Sequence, residues 1–525
     1  MPRSKKTKSG FPYDDQGRAI LGSAKEMAAW VKLGFEEQDK RKSPDDPLEH
    51  RFIDLRKCVL YISYPIGSKT PASQIFNLCD MADIVPGIKK REGDSDYLFE
   101  VSLDIRLDGS LLYGNFYHYV KFNGTVNMDD ATVLGTFSCF KCLFDGPVYM
   151  QGTHLNGGYT FEQCQFSKGL IMSGAVVEGI SAKFNNCICK ERLSLRGAKF
   201  ANQRIANYAQ SIELTNTTVE NLSISKIGSD GLPVYVDKTT IHGMKMHDMN
   251  LNAALGFYEC DLDGIITAVQ EENKTNNQIK ELVFHCCNVK AQYHIENSEI
   301  EKLSLTFDKI EDCGRIRLSQ SDIGELIIGS TSVFGQMDII ENKISSVDME
   351  GTCVQGYLTF QGNEVKKYED RQTLRLLKNE AIKVNDEVSA QQLYADEMQH
   401  LLSDKSVSAW DKVSLWLNKV FSKFGDSWVR AILVTFGLSV ALTLLMLGLG
   451  SGKYMYDLSG EFIGLGAFVT VLLDSINVFS IPLFSDTIKE YDLNVFGQIL
   501  YFVIKVIVAY GSYQFVVSFR KHGRR

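Results

Sequence analysis

What this sequence lacks narrows the reading before any motif is found. It has no excess of positive charge: 56 Lys and Arg stand against 64 Asp and Glu, a formal net charge of -8. Nucleic-acid binding depends on neutralising phosphates, so the balance argues against that class of partner. The first ten residues, MPRSKKTKSG, are basic but lack the apolar core of a signal peptide, which predicts a cytoplasmic location for the 400 residues that follow.

Two further absences concern chemistry. The CFKC pair, Cys139 and Cys142, has no second pair at zinc-finger spacing, and Cys286, Cys287 and His285 have none either; no metal or cofactor is expected. Carboxylates such as Asp145, Glu162 and Asp322 occur about once per repeat, with nothing in the sequence pairing them. They read as a solvated face rather than catalytic groups, so no enzyme is expected, and a carbohydrate-active site would need two carboxylates in one groove. Twelve cysteines in a cytoplasmic, reduced domain require another explanation than disulfides.

What is present begins with two long apolar runs near the C-terminus. Residues 431 to 449 contain no charge, and about 20 helical residues cross a bilayer. Residues 495 to 519 carry only Lys505 and end against Arg520, Lys521, Arg524 and Arg525. Between them, residues 462 to 484 are apolar but interrupted by Asp474, Asn477, Ser480 and Pro482, which predicts a segment that dips into the bilayer and returns. Lys412, Lys419, Lys423 and Arg430 before the hairpin and the basic cluster after it place both ends in the cytoplasm, and hence an even number of crossings.

Upstream, residues of about 120 to 365 repeat with a period of about 11. Tyr159, Phe161, Cys164 and Phe166 form one line of inward positions; Leu170, Met172, Ala175 and Val177, then Ala182, Phe184, Cys187 and Cys189, then Leu193, Leu195, Ala198 and Phe200 follow. The register returns at Ile316, Leu318, Ser321 and Ile323, at Leu326, Ile328, Thr331 and Val333, and at Val347, Met349, Thr352 and Val354. Between about 225 and 309 it loosens, with insertions such as QEENKTNNQ expected to project as loops. Short alternating strands at fixed spacing predict a parallel β-helix or pentapeptide-repeat-like solenoid with two lines per turn. Small residues at the third position (Thr153, Cys164, Ala175, Cys187 and Ala198) suit a tight corner, which accounts for many cysteines as small buried hydrophobes.

The remaining parts are helical. Residues 24 to 42 predict a helix with Met27, Ala28, Trp30 and Val31 on one face, either capping the solenoid or docking a partner. Leu374, Leu377 and Ala381, then a turn at Asn385 and Asp386, then Tyr394, Met398, Leu401 and Leu402 predict a helical hairpin that covers the solenoid's open end. Trp410, Val413, Leu417, Val420, Phe421 and Phe424 on one side, with Trp416 and Trp428 at headgroup level, predict an interfacial helix transmitting movement to the first spanning helix. The expected domains are 1–50, a 51–365 cytoplasmic solenoid, a 366–403 hairpin, a 404–427 interfacial helix and a 428–525 membrane domain.

The segments LRLLKNEAIKVNDEVSAQQLYADEM, SLWLNKVFSKFGDSW and YQFVVSFRKHGRR resemble a group of uncharacterised bacterial membrane proteins with a pentapeptide-like β-helix and a C-terminal two-helix, ion-channel-like domain. The resemblance covers residues 370 to 525 and, by type only, the solenoid. It implies a pore-loop topology similar to that of potassium channels, an inner-membrane location and a homo-oligomer of about four copies. It supplies no filter: no Thr-Val-Gly-Tyr-Gly lies in the dip, and AYGSY at 509–513 falls inside the second helix.

Independently of that resemblance, Gln498, Lys505 and Ser512 recur every seven residues on one spanning helix, and Thr435, Ser439 and Thr443 every four on the other. With Asp474, Ser475 and Asn477 in the dip they are the candidate pore residues; Lys505 is expected to pair with Asp474 or face water. Two function classes result. One is an ion-permeable pore governed by a solenoid that binds an unidentified ligand or protein; the other is a membrane-tethered binding scaffold in which the same polar residues serve packing.

Overall fold

A computed structural model describes residues 10–40, 51–60, 62–64, 73–75, 78–91, 96–178, 181–200, 211–225, 228–229, 233–246, 249–268, 277–450, 464–477 and 493–522. Two compact units result, Met1–Glu369 and Asp370–Arg525.

The first unit is a β-solenoid of about 11 turns over residues 99–368. All but two of its described strands fall into two sheets, of 18 and 24 strands, paired in parallel along almost their whole length; Ile62–Tyr64 and Ser73–Ile75 form a separate antiparallel pair. Register partners lie one turn apart: Val148 with Leu170, Tyr159 with Ala182, Leu282 with Leu303. In these pairs a turn is 21 to 23 residues, two lines of about 11; it lengthens to 30 from Ile188 to Thr218 and to 28 from Asn250 to Gln278.

Alternation decides what points inward. Every inward position named above from Tyr159 to Phe200 is buried, as are those from Ile316 to Val333. Aromatic rings at equivalent positions stack from coil to coil: Phe122, Phe144 and Phe166 lie 4.8 and 4.9 Å apart, nearly coplanar. That spacing is the inter-strand distance of a sheet, so the ladder of backbone hydrogen bonds sets the ring separation.

The corners have their own rule. Lys141, Gln163, Asn186, Lys238, Glu259, Cys286, Phe307 and Ser330 all adopt positive φ, between 48° and 57°, and each is followed by an inward residue. That residue hydrogen-bonds the preceding coil: Cys142 Sγ donates to Tyr117 O, Cys164 Sγ to Cys139 O, Cys187 Sγ to Phe161 O, Cys260 Sγ to Val236 O and Thr331 Oγ1 to Leu305 O, at 3.1 to 3.4 Å. The acceptor is in each case the carbonyl two residues before the left-handed residue of the preceding coil, so the small side chain that follows the bend ties one coil to the next. All twelve cysteines are free thiols, nine of them buried.

Two expectations are modified. The loosened register after residue 225 is not a break in the coil: the strands there are among the longest, Asn250–Tyr258 and Asn277–His285, each nine residues. Of QEENKTNNQ, residues 270–276 lie outside the described residues, while Asn277 and Gln278 already belong to a strand. At the other end, helix α1 (Ala24–Lys40) buries Met27, Ala28, Val31 and Phe35. Its Gln38 amide accepts from Phe52 N at 3.2 Å and donates to Phe52 O at 3.0 Å, satisfying a strand of the first coil.

The second unit begins with helices α2 (Arg371–Lys383) and α3 (Glu387–Ser403). Asp370 and Asp386 cap their N-termini. The hairpin closes over Leu374, Leu377, Ala390 and Leu393, and over Glu397, 2% exposed, whose carboxylate meets Arg371, Arg375 and Lys378 at 3.2, 2.8 and 2.6 Å. The expected inner set on α3, Tyr394, Met398, Leu401 and Leu402, is only half-buried because Glu397 holds the centre of that face. Next come α4 (Ala409–Ser422), α5 (Trp428–Gly450), α6 (Gly464–Ile476) and α7 (Val495–His522). Among these, α5 and α7 are long and apolar enough to cross a membrane, over Trp428–Leu449 and Val495–Arg520.

Candidate functional site

Helices α5 and α7 are antiparallel. At one end Trp428 packs its ring against Phe515 and Phe519, centroids 6.3 and 6.1 Å away; at the other Asn494 Nδ2 donates to Leu449 O at 3.3 Å. Small residues let them approach: a Cβ on Gly511 would lie 1.9 Å from Thr435 Oγ1.

Helix α6 is the short element between them. Its 13 residues span about 20 Å at 1.5 Å each, less than a hydrocarbon core of about 30 Å. Val471 is buried and, with Phe468, packs among Met446 and Leu447 of α5 and Tyr501, Ile504 and Val508 of α7. The helix ends at Asn477, whose N–H bonds back to Leu473 O and Asp474 O at 3.1 Å. A helix end leaves carbonyls unsatisfied and carries partial negative charge.

Here Lys505 supplies the missing donor. Its ammonium, on a side chain only 7% exposed, donates to Asp474 O and, at 2.8 Å, to Asn477 O. One turn earlier Tyr501 donates its hydroxyl to Asp474 Oδ2 at 2.5 Å, and the Lys505 ammonium sits 5.3 Å from the Tyr501 ring centroid. Lys505 thus reaches Asp474 at its backbone carbonyl, and the Asp474 carboxylate accepts from Tyr501. Ser475 falls on the same turn of α6; Ser480 and Pro482 lie outside the described residues.

The other candidates have different partners. Gln498 is exposed and donates to Leu493 O at 3.0 Å. Thr435, Ser439 and Ser512 line one cleft of about 200 Å³ between α5 and α7, with Gly511, Ile476 and Phe515. Thr435 Oγ1 donates to Ala431 O at 2.6 Å and Ser439 Oγ to Thr435 O at 2.7 Å, each within its own helix. Thr443 is fully buried, and its hydroxyl has no partner among the described residues. The seven-residue stripe on α7 is therefore divided between the α6 end, the cleft and the helix start.

A second polar cluster was not anticipated from the sequence. Gln514 Nε2 donates to Asn418 Oδ1 at 2.5 Å and to Tyr510 OH at 3.0 Å; Tyr510 OH donates to Asn418 Oδ1 at 3.1 Å and Ser422 Oγ to Gln514 Oε1 at 2.9 Å. Phe421 packs edge-on to Tyr510 at 5.1 Å. Helix α4 is thereby hydrogen-bonded to the second candidate spanning helix as well as to the first, where Arg430 Nε donates to Val420 O at 3.1 Å. The sequence held a signal: polar pairs four apart on both helices, Asn418 with Ser422 and Tyr510 with Gln514. On α4, Phe421 is buried, while Trp410, Val413 and Trp416 stay exposed.

Among the solenoid carboxylates, Asp145 pairs with Lys121 at 3.2 Å. Asp322 is the register partner of Glu299 and lines, with Glu299 and Glu301, an open groove of about 560 Å³. No group of three or more His, Cys, Asp or Glu among the described residues is arranged to hold a metal ion. The chain matches no protein-family model, no curated protein and no solved structure.

Proposed function

We propose that this chain forms a pore in a bacterial inner membrane as a homo-oligomer. In this reading α5 and α7 cross the bilayer, α6 enters part-way and returns, both ends of the chain face the cytoplasm, and the solenoid binds a ligand or protein that biases the pore. The observation that carries it is the short helix α6, wedged between the two long ones with its last carbonyls held by a buried ammonium. An intramembrane cation is costly, and a plain anchor has no use for one that fixes a half-helix. Two helices per chain cannot enclose water, so several copies must surround an axis.

Ion flux from liposomes holding the purified protein tests this. The expected result is a leak that Lys505→Leu or Asp474→Ala alters; a tight bilayer, indifferent to both substitutions, overturns the proposal.

A second reading, a membrane-tethered binding scaffold, is favoured by one observation: the Thr435 and Ser439 hydroxyls are satisfied inside their own helix and need no water path. Exchanging residues 428–525 for an unrelated anchor separates the two. Cellular activity survives the exchange if the hairpin only tethers, and is lost if it conducts.

A further inference from the structure

The solenoid's corner columns contain one residue that does not obey their hydrogen-bonding rule as an ion. Each inward corner side chain faces two groups of the preceding coil: the N–H of the residue in the same column, and the carbonyl three residues before that. Asn342 and Asn363 show both contacts. Asn342 Oδ1 accepts from Ser321 N at 3.0 Å while its Nδ2 donates to Leu318 O at 3.0 Å. Asn363 Oδ1 accepts from Asn342 N at 2.9 Å while its Nδ2 donates to Ile339 O at 2.7 Å.

Asp308 stands at such a position in the neighbouring column, between Cys287 and Thr331, and is 2% exposed. Cys287 Sγ donates to Phe257 O and Thr331 Oγ1 to Leu305 O, as the column requires. Asp308 Oδ1 accepts from Cys287 N at 2.7 Å, like the two asparagines. By the same count its Oδ2 is assigned to Phe284 O, which also receives the Thr306 hydroxyl at 3.5 Å. Oδ2 is buried and has no partner among the described residues. Two bare acceptors cannot bond; a proton on Oδ2 completes the ladder.

We propose that Asp308 is carried protonated in the folded solenoid, donating to Phe284 O, and that loss of this proton opens the coil between residues 284 and 308. The titratable groups facing it are the Cys260 and Cys287 thiols and the Tyr293 phenol. Burial pushes Tyr293 upward, so the phenol brings no charge, and among the described residues no cation offsets an ionised Asp308. The energetics agree in sign: burial raises the Asp308 carboxyl from 3.8 to about 7, against a smaller lowering by the N–H groups of Cys287 and Thr306. An acid raised in the fold contributes full stability below its unfolded value and loses it as pH climbs towards the folded one. A displacement of about three units corresponds to about a thousandfold in the closed-to-open ratio, of which about a hundredfold falls between pH 5 and pH 8.

The test uses the full-length protein in detergent and amide hydrogen exchange of peptides covering 277–310, corrected for intrinsic rates. Wild type is expected to open about a hundredfold more at pH 8 than at pH 5. Asp308→Asn, which supplies both contacts without a titratable proton, should flatten that dependence and protect the segment at pH 8. The reciprocal Asn342→Asp should introduce a new pH dependence at 318–342. Infrared spectra of wild type at pH 5 should contain a protonated-carboxyl band missing from Asp308→Asn. Equal pH dependence in wild type and Asp308→Asn, or the absence of that band, overturns the proposal.

Discussion

Replacing Gly511 by Ala tests the helix pair at its closest approach, because the two relevant effects have opposite signs. In an isolated helix Ala is favoured over Gly by about 1 kcal/mol. Here the new Cβ would meet three atoms of one side chain: Thr435 Oγ1 at 1.9 Å, Cγ2 at 2.6 Å and Cβ at 2.8 Å. The Thr435 hydroxyl is committed to Ala431 O, and its β-branched stem has no rotamer that withdraws both branches. The helices must therefore separate by about 1 Å, at an overpacking cost of about 1–3 kcal/mol. A net loss of about 1–2 kcal/mol is expected. Thr435→Ala removes the two nearest of those atoms, so the double variant should recover at least half of the loss, a coupling of about 1 kcal/mol. The assay is SDS titration in mixed micelles, read from the Trp428 fluorescence that its packing on Phe515 and Phe519 provides, with Trp428→Phe as blank. If Gly511→Ala stabilises the hairpin, or Thr435→Ala fails to rescue it, the antiparallel packing described above is wrong.

Three further outcomes are expected. Lys505→Met strips the end of α6 of a donor; hydrogen bonds to charged groups contribute about 1.5–3 kcal/mol each, partly offset by removing a buried charge. A cysteine at position 477 should then label about tenfold faster than with Lys505 in place, and an unchanged rate would remove Lys505 from the role assigned to it. Burial alone would raise Glu397, but Lys378 and Arg375 hold it below the ordinary carboxylate value. Its contribution is present above about pH 4.5 and fades as pH falls further; Glu397→Gln should cost the hairpin about 1–3 kcal/mol near neutrality and abolish that acid limb in melting curves. Finally, in the native state Cys286, Cys313 and Cys353 should react with a thiol reagent, while the nine buried thiols, among them Cys58, pushed up to about 12 by burial, react only after unfolding. Native labelling of Cys164 or Cys187 would mean that the corner columns are misplaced.

The parts of this fold legible in the sequence were those carried by apolar periodicity. Positions from Tyr159 to Phe200 could be assigned inward because alternation and burial are one constraint, and the two candidate spanning helices because length and hydropathy are read directly from the sequence. The corners were hidden for a physical reason. Their left-handed residue is Lys141, Gln163, Asn186, Glu259 or Phe307, side chains that share nothing but a backbone angle. Only the small inward residue behind it leaves a trace in composition. Long-range polar contacts were hidden too: Asn418 and Gln514 are 96 residues apart, and their pairing depends on how α4 folds back on α7. Asp474 and Lys505 were visible because a charge in an apolar run announces itself. Which atoms they would use was not, since the decisive acceptors are backbone carbonyls present at every position.

Both functional readings require α5 and α7 to cross the bilayer as a hairpin, so the sidedness of the chain's two ends in sealed vesicles is the most direct measurement. With one tag before α1 and another after α7, the account predicts that protease added from one side removes both and from the other side removes neither. Removal of one tag from each side would contradict it.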